Sequence, residues 1–305
     1  MEHIFDSLIF LDNQIYSHQA MSYQIKALAQ HYPFLEIQII GDSVMGRPIY
    51  LIHLGSGKRK IHINASHHAN EWLTSYIVMK SLEMLCKEIK EGEVELEQIN
   101  YDFVPMVNPD GVELCLYGLA SIASYKQQEK LLSMNEGFDN FSRWKANIRG
   151  VDLNRNYDAG FANYKKISEK KVPSYAYYAG GNPESEPESK ALAILTRARL
   201  YDMVIAYHTQ GEVIYWNYGG VEVPTAKEYA IMFSEVSGYL LDEPDITAAS
   251  GGYKDWFIAT YKKPGFTIEC GIGENPISAS QSESIIRRTW PIIKCAQKDI
   301  REGVI

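Results

Sequence analysis

The stretch Lys60–Glu71, KIHINASHHANE, decides the fold, because a short apolar run passes directly into polar residues. Lys60 to Ala65 has the length and composition of a buried strand, and a helix is predicted to follow over about 71–91. Strands that alternate with helices predict an α/β domain with a largely parallel or mixed sheet. Ligands of such sheets bind at the carboxyl ends of strands, which is where His67 to Glu71 lie.

The same alternation continues along the chain. Further strands are predicted over Pro48–Leu54, Tyr101–Val107, Met203–His208 and Phe266–Cys270. Helices are predicted over 20–32, from Glu186 to about Tyr201, over 224–241 and over 282–301, and Asn108-Pro109-Asp110-Gly111 predicts a turn. No repeat or low-complexity linker divides the sequence. We therefore expect residues 1–305 to form a single domain, a mixed, mostly parallel twisted sheet flanked by helices.

The composition excludes several classes of protein. Of the 305 residues, 46% are apolar and 22% are charged, as in globular proteins with a large core. The net charge of −8 argues against a nucleic-acid partner, because phosphate binding needs a basic surface. No stretch approaches the roughly 18 consecutive apolar residues that span a bilayer, so no membrane partner is expected.

Two features concern the cellular compartment. The cysteines are widely spaced, without a CxxC pair, and we expect free thiols in a reducing compartment: Cys86, Cys115, Cys270 and Cys295. The N-terminus, Met1 to Asp6, contains acids and lacks the basic region of a secretory signal. These features predict a cytoplasmic protein, unless processing removes a leader before this chain begins.

Three of the predicted strand ends carry polar side chains that could bind a metal or transfer a proton. His68 and Glu71 are three residues apart after the first strand, and His208 ends another. Zinc binds imidazole nitrogen and carboxylate oxygen, and catalytic zinc sites use three protein ligands and a water. Taken alone, an HxxE pair is a weak signal that often arises by chance. HExxH, GxSxG and GxxxxGK[ST] are absent, so serine hydrolysis and nucleotide chemistry have no support.

A further cluster joins these residues: Asp152-Leu153-Asn154-Arg155-Asn156, with Trp144-Lys145 upstream. Together with His68-Ala69-Asn70-Glu71-Trp72 it resembles the carboxypeptidase A-like zinc peptidases, whose fold is a mixed sheet between helices. The resemblance runs in order from about residue 20 through further segments: Gly41-Asp42-Ser43, Gly46 to Ile49, Asn108 to Gly111, His208, Ser250-Gly251-Gly252, Asp255-Trp256 and Phe266 to Glu269. His208-Thr209-Gln210-Gly211-Glu212 and Trp144 to Asn147 look like the bacterial γ-D-glutamyl-diamino acid endopeptidases and murein peptide amidases.

The resemblance implies a role for each matching residue. One Zn²⁺ per chain would be bound by His68, Glu71 and His208, and Asp152 would hold the second nitrogen of His68. Glu269 would be the general base and then the proton donor to the leaving amine. Asn154 and Arg155 would bind a substrate carboxylate, the arginine as a bidentate fork.

The sequence departs from the family at two positions. Lys145, nine residues before Asn154, replaces an arginine that steadies the oxyanion; it keeps the charge but loses the fork, and Arg149 is a competing candidate. Thr247 replaces the mobile tyrosine of carboxypeptidases, and the nearby Tyr253 cannot be equated with it.

The expected partner is a small peptide, and the favoured substrate is a murein tripeptide or tetrapeptide cut at the γ-D-glutamyl–meso-diaminopimelate bond. Lys254 stands where carboxypeptidases place the floor of the pocket for the leaving residue. A lysine there would bind the side-chain carboxylate of diaminopimelate and repel lysine or arginine. Two alternatives are a carboxypeptidase that trims ordinary peptides and a catalytically inactive binding module. The presence of all three ligands and Glu269 argues against the inactive module.

Overall fold

The structure, a computed structural model, describes residues 7–243 and 250–298. In chain order its main elements are α1 (His18–His31), β1 (Glu36–Asp42), β2 (Pro48–Leu54), β3 (Ile61–Ala65), α2 (Leu73–Lys90), β4 (Tyr101–Val104), α3 (Pro109–Tyr117), α4 (Tyr125–Met134), α5 (Phe161–Ile167), α6 (Pro187–Arg199), β5 (Met203–His208), β6 (Val213–Tyr215), α7 (Ala226–Ser237), β7 (Leu240–Asp242), α8 (Tyr253–Tyr261), β8 (Gly265–Glu269) and α9 (Ser282–Ala296). A single turn of 3₁₀ helix, Ala69–Glu71, links β3 to α2.

The eight strands described form one mixed sheet in the order β1-β2-β4-β3-β5-β8-β6-β7. Its centre is parallel, because β3 pairs in parallel with both β4 and β5, and β5 pairs in parallel with β8. The strands β1, β2 and β6 supply the antiparallel pairs. The predicted α/β class and mixed, mostly parallel sheet are confirmed.

Helices cover both faces of the sheet. One apolar cluster includes side chains of α1, α2, α7 and α9, and a second includes side chains of α6 and α8. Every residue of β3, β4 and β5 is buried, as expected for parallel strands with covered faces. This packing fixes the carboxyl ends of β3, β5 and β8 side by side at one edge.

Three predicted boundaries are wrong for identifiable reasons. The strand from Tyr101 stops at Val104 instead of Val107, because Pro105 has no N–H for the ladder. The helix predicted to reach residue 241 ends at Ser237, where Gly238 adopts a left-handed conformation with φ 71°. The closing helix ends at Ala296, before the predicted 301, and residues 299–301 lie outside the described part.

The predicted turn at Asn108 to Gly111 is instead the start of α3. The Asn108 side chain accepts the N–H of Gly111 at 3.1 Å as an N-cap, and Pro109 occupies the first turn, where a missing N–H costs nothing. Gly111 is required by close packing, since a Cβ there would lie 2.6 Å from the backbone oxygen of Ala146. The four cysteines are free thiols, as predicted.

Candidate metal centre

Three neighbouring strands bring the candidate residues together. His68 and Glu71 follow β3, while His208 is the last residue of β5 and Glu269 the last residue of β8. Because β5 and β8 pair in parallel, His208 and Glu269 stand opposite each other in the ladder. The parallel pairing of β3 with β5 places Glu71 in contact with His208, 137 positions further along the chain.

The carboxylate of Glu71 lies between two imidazoles. Nδ1 of His68 is 2.8 Å from one carboxylate oxygen, and Nδ1 of His208 is 2.8 Å from the other. All three side chains are buried, and they offer ligand atoms that lie within 4.8 Å of one another. Two imidazole nitrogens and one carboxylate oxygen form the donor set of catalytic zinc sites, which take a water as the fourth ligand.

The hydrogen positions around His68 fit a cation between these groups. Nε2 of His68 lies 3.2 Å from the Asp152 carboxylate, which accepts hydrogen bonds and cannot donate them when ionised. A neutral imidazole that gives its one N–H to Asp152 then turns a lone pair on Nδ1 toward Glu71, another acceptor. A metal ion bound by both groups removes this conflict, as does a second proton on the imidazole, and an acidic partner behind a metal-binding histidine is the common arrangement.

The surrounding charges also favour positive charge at this point. Burial by itself lowers the pKa of His68, but the charges of Glu71 and Asp152 outweigh it and raise that pKa to about 9. The pKa of Asp152 is held below its usual range, since the attraction of His68 outweighs the burial that would raise it. The pocket therefore stabilises a cation beside these carboxylates.

Glu269 has the environment of a group that exchanges protons near neutral pH. Burial, reinforced by the negative charge of Glu71, raises its pKa to about 8. A bound cation would lower this pKa again by offsetting the charge of Glu71. A carboxylate poised in this range can accept a proton in one step and return it in the next.

Of the two candidates for the oxyanion cation, the structure places Lys145 at the centre. Its Nζ lies 3.9 Å from a carboxylate oxygen of Glu71 and 5.9 Å from the ring centroid of Tyr177. Arg149 instead points to Glu186, with NH1 at 3.6 Å, and its side chain is 55% exposed. A cation at the metal ligands is positioned to face charge that develops there, and a solvent-exposed one is not.

Comparison with known proteins agrees with this geometry. The sequence profile of the zinc carboxypeptidases matches residues 21–292. γ-D-Glutamyl-L-diamino acid endopeptidase 1 of Lysinibacillus sphaericus is 41% identical over 289 residues, which are 92% of this chain and 71% of that protein. The chain belongs to the zinc carboxypeptidase family. It is accordingly a metallopeptidase, a hydrolase of a zinc-dependent class.

Two solved structures have a fold similar to that of this chain. Bovine thrombin-activatable fibrinolysis inhibitor, in complex with tick carboxypeptidase inhibitor, matches with a TM-score of 0.75 at 20% identity, over 95% of this chain and 99% of that one. Murein-tripeptide amidase MpaA of Escherichia coli O157 matches with a TM-score of 0.56 at 21% identity, over 86% of this chain and 92% of that one.

Asn154 and Arg155, the residues expected to bind a carboxylate, follow Asp152 on a single 3₁₀ turn. Asn154 Oδ1 accepts the backbone N–H of Tyr253 at 3.0 Å, which joins this turn to the start of α8. The Arg155 guanidinium stacks 5.4 Å from the Tyr164 ring, and its Nε makes no hydrogen bond within the described chain. The site thus holds, beside Asp152, a cation with unused donor capacity.

Lys254 is more enclosed than a substrate-binding lysine needs to be. Its Nζ is 2.5 Å from the Asp255 carboxylate and donates to the backbone oxygen of Asn217 at 2.7 Å, and the residue is 4% exposed. A substrate carboxylate would have to share this ammonium with Asp255. The predicted role of Lys254 therefore stays a prediction, with the added condition that its ion pair rearranges or accepts a third partner.

Three further residues bear on the predicted site: Thr247, His67 and Asn275. Thr247, the replacement of the family tyrosine, falls within 244–249 and outside the described residues. His67 is buried with its Nε2 3.1 Å from the Tyr157 hydroxyl, and its ring stacks on that of His208 without joining the ligand group. Asn275, whose Nδ2 lies 3.5 Å from Glu71 Oε1, was missed because its loop carries no motif that marks it. Within the described residues, no helix is both long and apolar enough to cross a membrane.

Proposed function

We propose that this protein is a zinc endopeptidase that hydrolyses the γ-D-glutamyl–meso-diaminopimelate bond of murein peptides, with one zinc ion per chain. The observation that carries the reaction class is the contact of His68, Glu71 and His208 beside the partly buried Glu269. The substrate class is supported by the relative at 41% identity, named γ-D-glutamyl-L-diamino acid endopeptidase 1.

In this mechanism His68, Glu71 and His208 hold the metal, and Asp152 fixes the tautomer of His68 by accepting from Nε2. When bound, zinc supplies Lewis acidity and lowers the pKa of a water to roughly 7. Glu269 accepts the proton of the attacking water and passes it to the leaving amine. Lys145 Nζ stabilises the negative charge that develops on the carbonyl oxygen.

Binding of the substrate falls to the residues on the Asp152 side of the centre. Arg155 would pair with a carboxylate of the diaminopimelate residue through its planar fork, assisted by the amide of Asn154. Lys254 would contact the second, distal carboxylate from the floor of the pocket. Because Asp255 already offsets the charge of Lys254, we expect discrimination against a lysine peptide near tenfold, the low end of what one charged hydrogen bond provides.

A second candidate, a carboxypeptidase acting on ordinary peptides, is favoured by the free donor capacity of Arg155, which suits any C-terminal carboxylate.

A cytoplasmic location agrees with the four free cysteines. The peptides of murein turnover would be the substrates in that compartment.

The experiment that separates the candidates is mass spectrometry of products from the zinc-loaded protein. The substrates are a γ-D-Glu–diaminopimelate tripeptide, the matched γ-D-Glu–lysine tripeptide and an ordinary peptide with a C-terminal Phe. Cleavage of the first at the γ-glutamyl bond, with the third intact, is expected. Efficient release of the C-terminal Phe would replace the proposal with the carboxypeptidase alternative.

The role of Lys254 is tested with the same two γ-D-Glu peptides. Lys254→Met should reduce the preference for diaminopimelate over lysine, because it removes the charge. Lys254→Gln keeps a donor for the Asn217 oxygen and guards against loss of folding when Asp255 is left unpaired. An unchanged preference in both variants would remove Lys254 from the specificity account.

A further inference from the structure

The side chain of Asn275, in the loop after β8, forms hydrogen bonds with Thr209, in the loop after β5. Asn275 Nδ2 donates to the backbone oxygen of Thr209 at 2.8 Å, and its Oδ1 accepts the Thr209 hydroxyl at 2.7 Å. Two backbone hydrogen bonds run beside this pair, from Cys270 N to His208 O and from Gly211 N to Gly271 O, each at 2.8 Å. The ends of β5 and β8 are therefore held together by these two backbone hydrogen bonds and by the side chains of Asn275 and Thr209.

Both members of the pair also face the Glu71 carboxylate. The backbone N–H of Thr209 points to Oε2 at 3.4 Å, and Asn275 Nδ2 lies 3.5 Å from Oε1. Each carboxylate oxygen thus has an imidazole nitrogen at 2.8 Å on one side and a neutral N–H donor at longer range on the other. Rotation of the carboxylate plane would change all four of these distances and so meet resistance.

Such resistance matters because the last torsion of a glutamate side chain is broad and roughly two-fold. Glu71 stands on a single 3₁₀ turn, so its backbone alone does not fix its carboxylate. The amide of Asn275 is well defined, since its oxygen faces a hydroxyl donor and its nitrogen faces a carbonyl. The neighbouring Thr209 is 4% exposed, and Asn275 is partly buried.

We propose that Asn275 is a positioning residue for the metal, which holds the Glu71 carboxylate in its binding orientation directly and through Thr209. The inference rests on the proposed zinc site and adds a residue that the ligand motif does not contain. Asn275 also links the loops after β5 and β8. A shift of the loop that carries Asn275, which follows the proposed general base Glu269, would therefore change the position of the metal ligand Glu71.

The test measures zinc affinity, by competition with a chelator, for the whole chain, four single variants and one double variant. Asn275→Ala removes the amide that contacts both Glu71 and Thr209, and Thr209→Val removes only the hydroxyl. Thr209→Ser keeps the hydroxyl as the conservative variant, and Asn163→Ala, on an exposed face of α5, is the matched control. Partners behind metal ligands typically contribute 10- to 100-fold in affinity, so Asn275→Ala should raise the zinc Kd by at least about tenfold.

Thr209→Val should give a smaller rise, while Thr209→Ser and Asn163→Ala should bind zinc like the wild type. In the Asn275→Ala background, Thr209→Val should add nothing, because the hydroxyl then has no amide to orient. Substitution of Co²⁺ for zinc adds a spectroscopic signature: the visible bands should shift in Asn275→Ala and stay fixed in the control. Neither readout depends on turnover of a peptide.

Urea unfolding of the metal-free variants separates positioning from a purely structural role. A residue that only fastens two loops would lower the stability of the metal-free protein and leave the zinc Kd and the Co²⁺ bands unchanged, and that result overturns the inference. A wild-type protein that binds no stoichiometric zinc overturns the proposed metal site itself. If Asn275→Ala does not fold, an unchanged zinc Kd in Thr209→Val overturns the inference in its place.

Discussion

Replacement of Asp152 by asparagine tests the metal centre with the least change in shape. The Asp152 carboxylate has three neighbours in the structure. Oδ1 lies 3.2 Å from His68 Nε2 and accepts the N–H of Asn154 at 3.1 Å. Oδ2 accepts the N–H of Tyr177, also at 3.1 Å. Both oxygens are therefore acceptors, and asparagine can supply only one.

The magnitude follows from that count. In either orientation of the new amide, one backbone N–H faces an NH₂ group, and a hydrogen bond to a charged group contributes about 1.5–3 kcal/mol. We expect the metal-free protein to lose roughly that much free energy of unfolding. The loss of the carboxylate behind His68 should weaken zinc binding about 10- to 100-fold, or about 1.4–2.8 kcal/mol.

The assay has two parts, chelator competition for zinc and urea unfolding of the metal-free protein. Asp158→Asn is the control, because Asp158 is an exposed acid a few residues further along the same segment. It removes the same charge without touching His68 and should change both quantities little. Zinc affinity that stays at the wild-type value in Asp152→Asn, with stability reduced, would refute the argument that Asp152 sets the tautomer of a metal-binding His68.

Three further outcomes are expected. Glu269→Gln should retain zinc and lose about 10²-fold or more of kcat, because an amide cannot accept the proton; activity within a few fold of wild type would exclude Glu269 as the base. Lys145→Met should lower kcat with little change in KM, by the roughly 2.7–4 kcal/mol that an oxyanion donor supplies, whereas a raised KM alone would assign Lys145 to substrate binding. Burial raises the pKa of Glu188 to about 7 from an ordinary 4.5, so the folded state keeps a proton that the unfolded chain has lost, and stability falls as the pH rises through this window. Glu188→Gln should remove up to about 3 kcal/mol of that fall, measured by urea unfolding at about pH 4.5 and 7.5, and an equal fall in both proteins would contradict it.

The sequence by itself determined the elements that are apolar runs of strand length. The strands β2 and β5 have their predicted bounds, because an apolar run of strand length needs no knowledge of its neighbours. The strands β6 and β7 have three residues each and carry no such signal. They form only because β6 pairs with β8 and β7 pairs with β6.

The sequence also indicated the chemistry of the centre, since polar residues after buried strands point to a site at one edge of the sheet. Apolar runs and spacing alone do not place Glu71 next to His208, 137 positions away, and only the family resemblance joined the two as ligands. Only the parallel pairing of β3 with β5 brings them together.

The tertiary structure alone decided between residues that look equivalent in the sequence. Lys145 and Arg149 are both cations of one loop, yet only Lys145 lies near Glu71, because Arg149 points away to Glu186. Asn275 and Thr209 have no motif in common, and the bond between their side chains exists because two strand ends meet. The local sequence gives the chemical type of each side chain, whereas its direction and its partners depend on long-range packing.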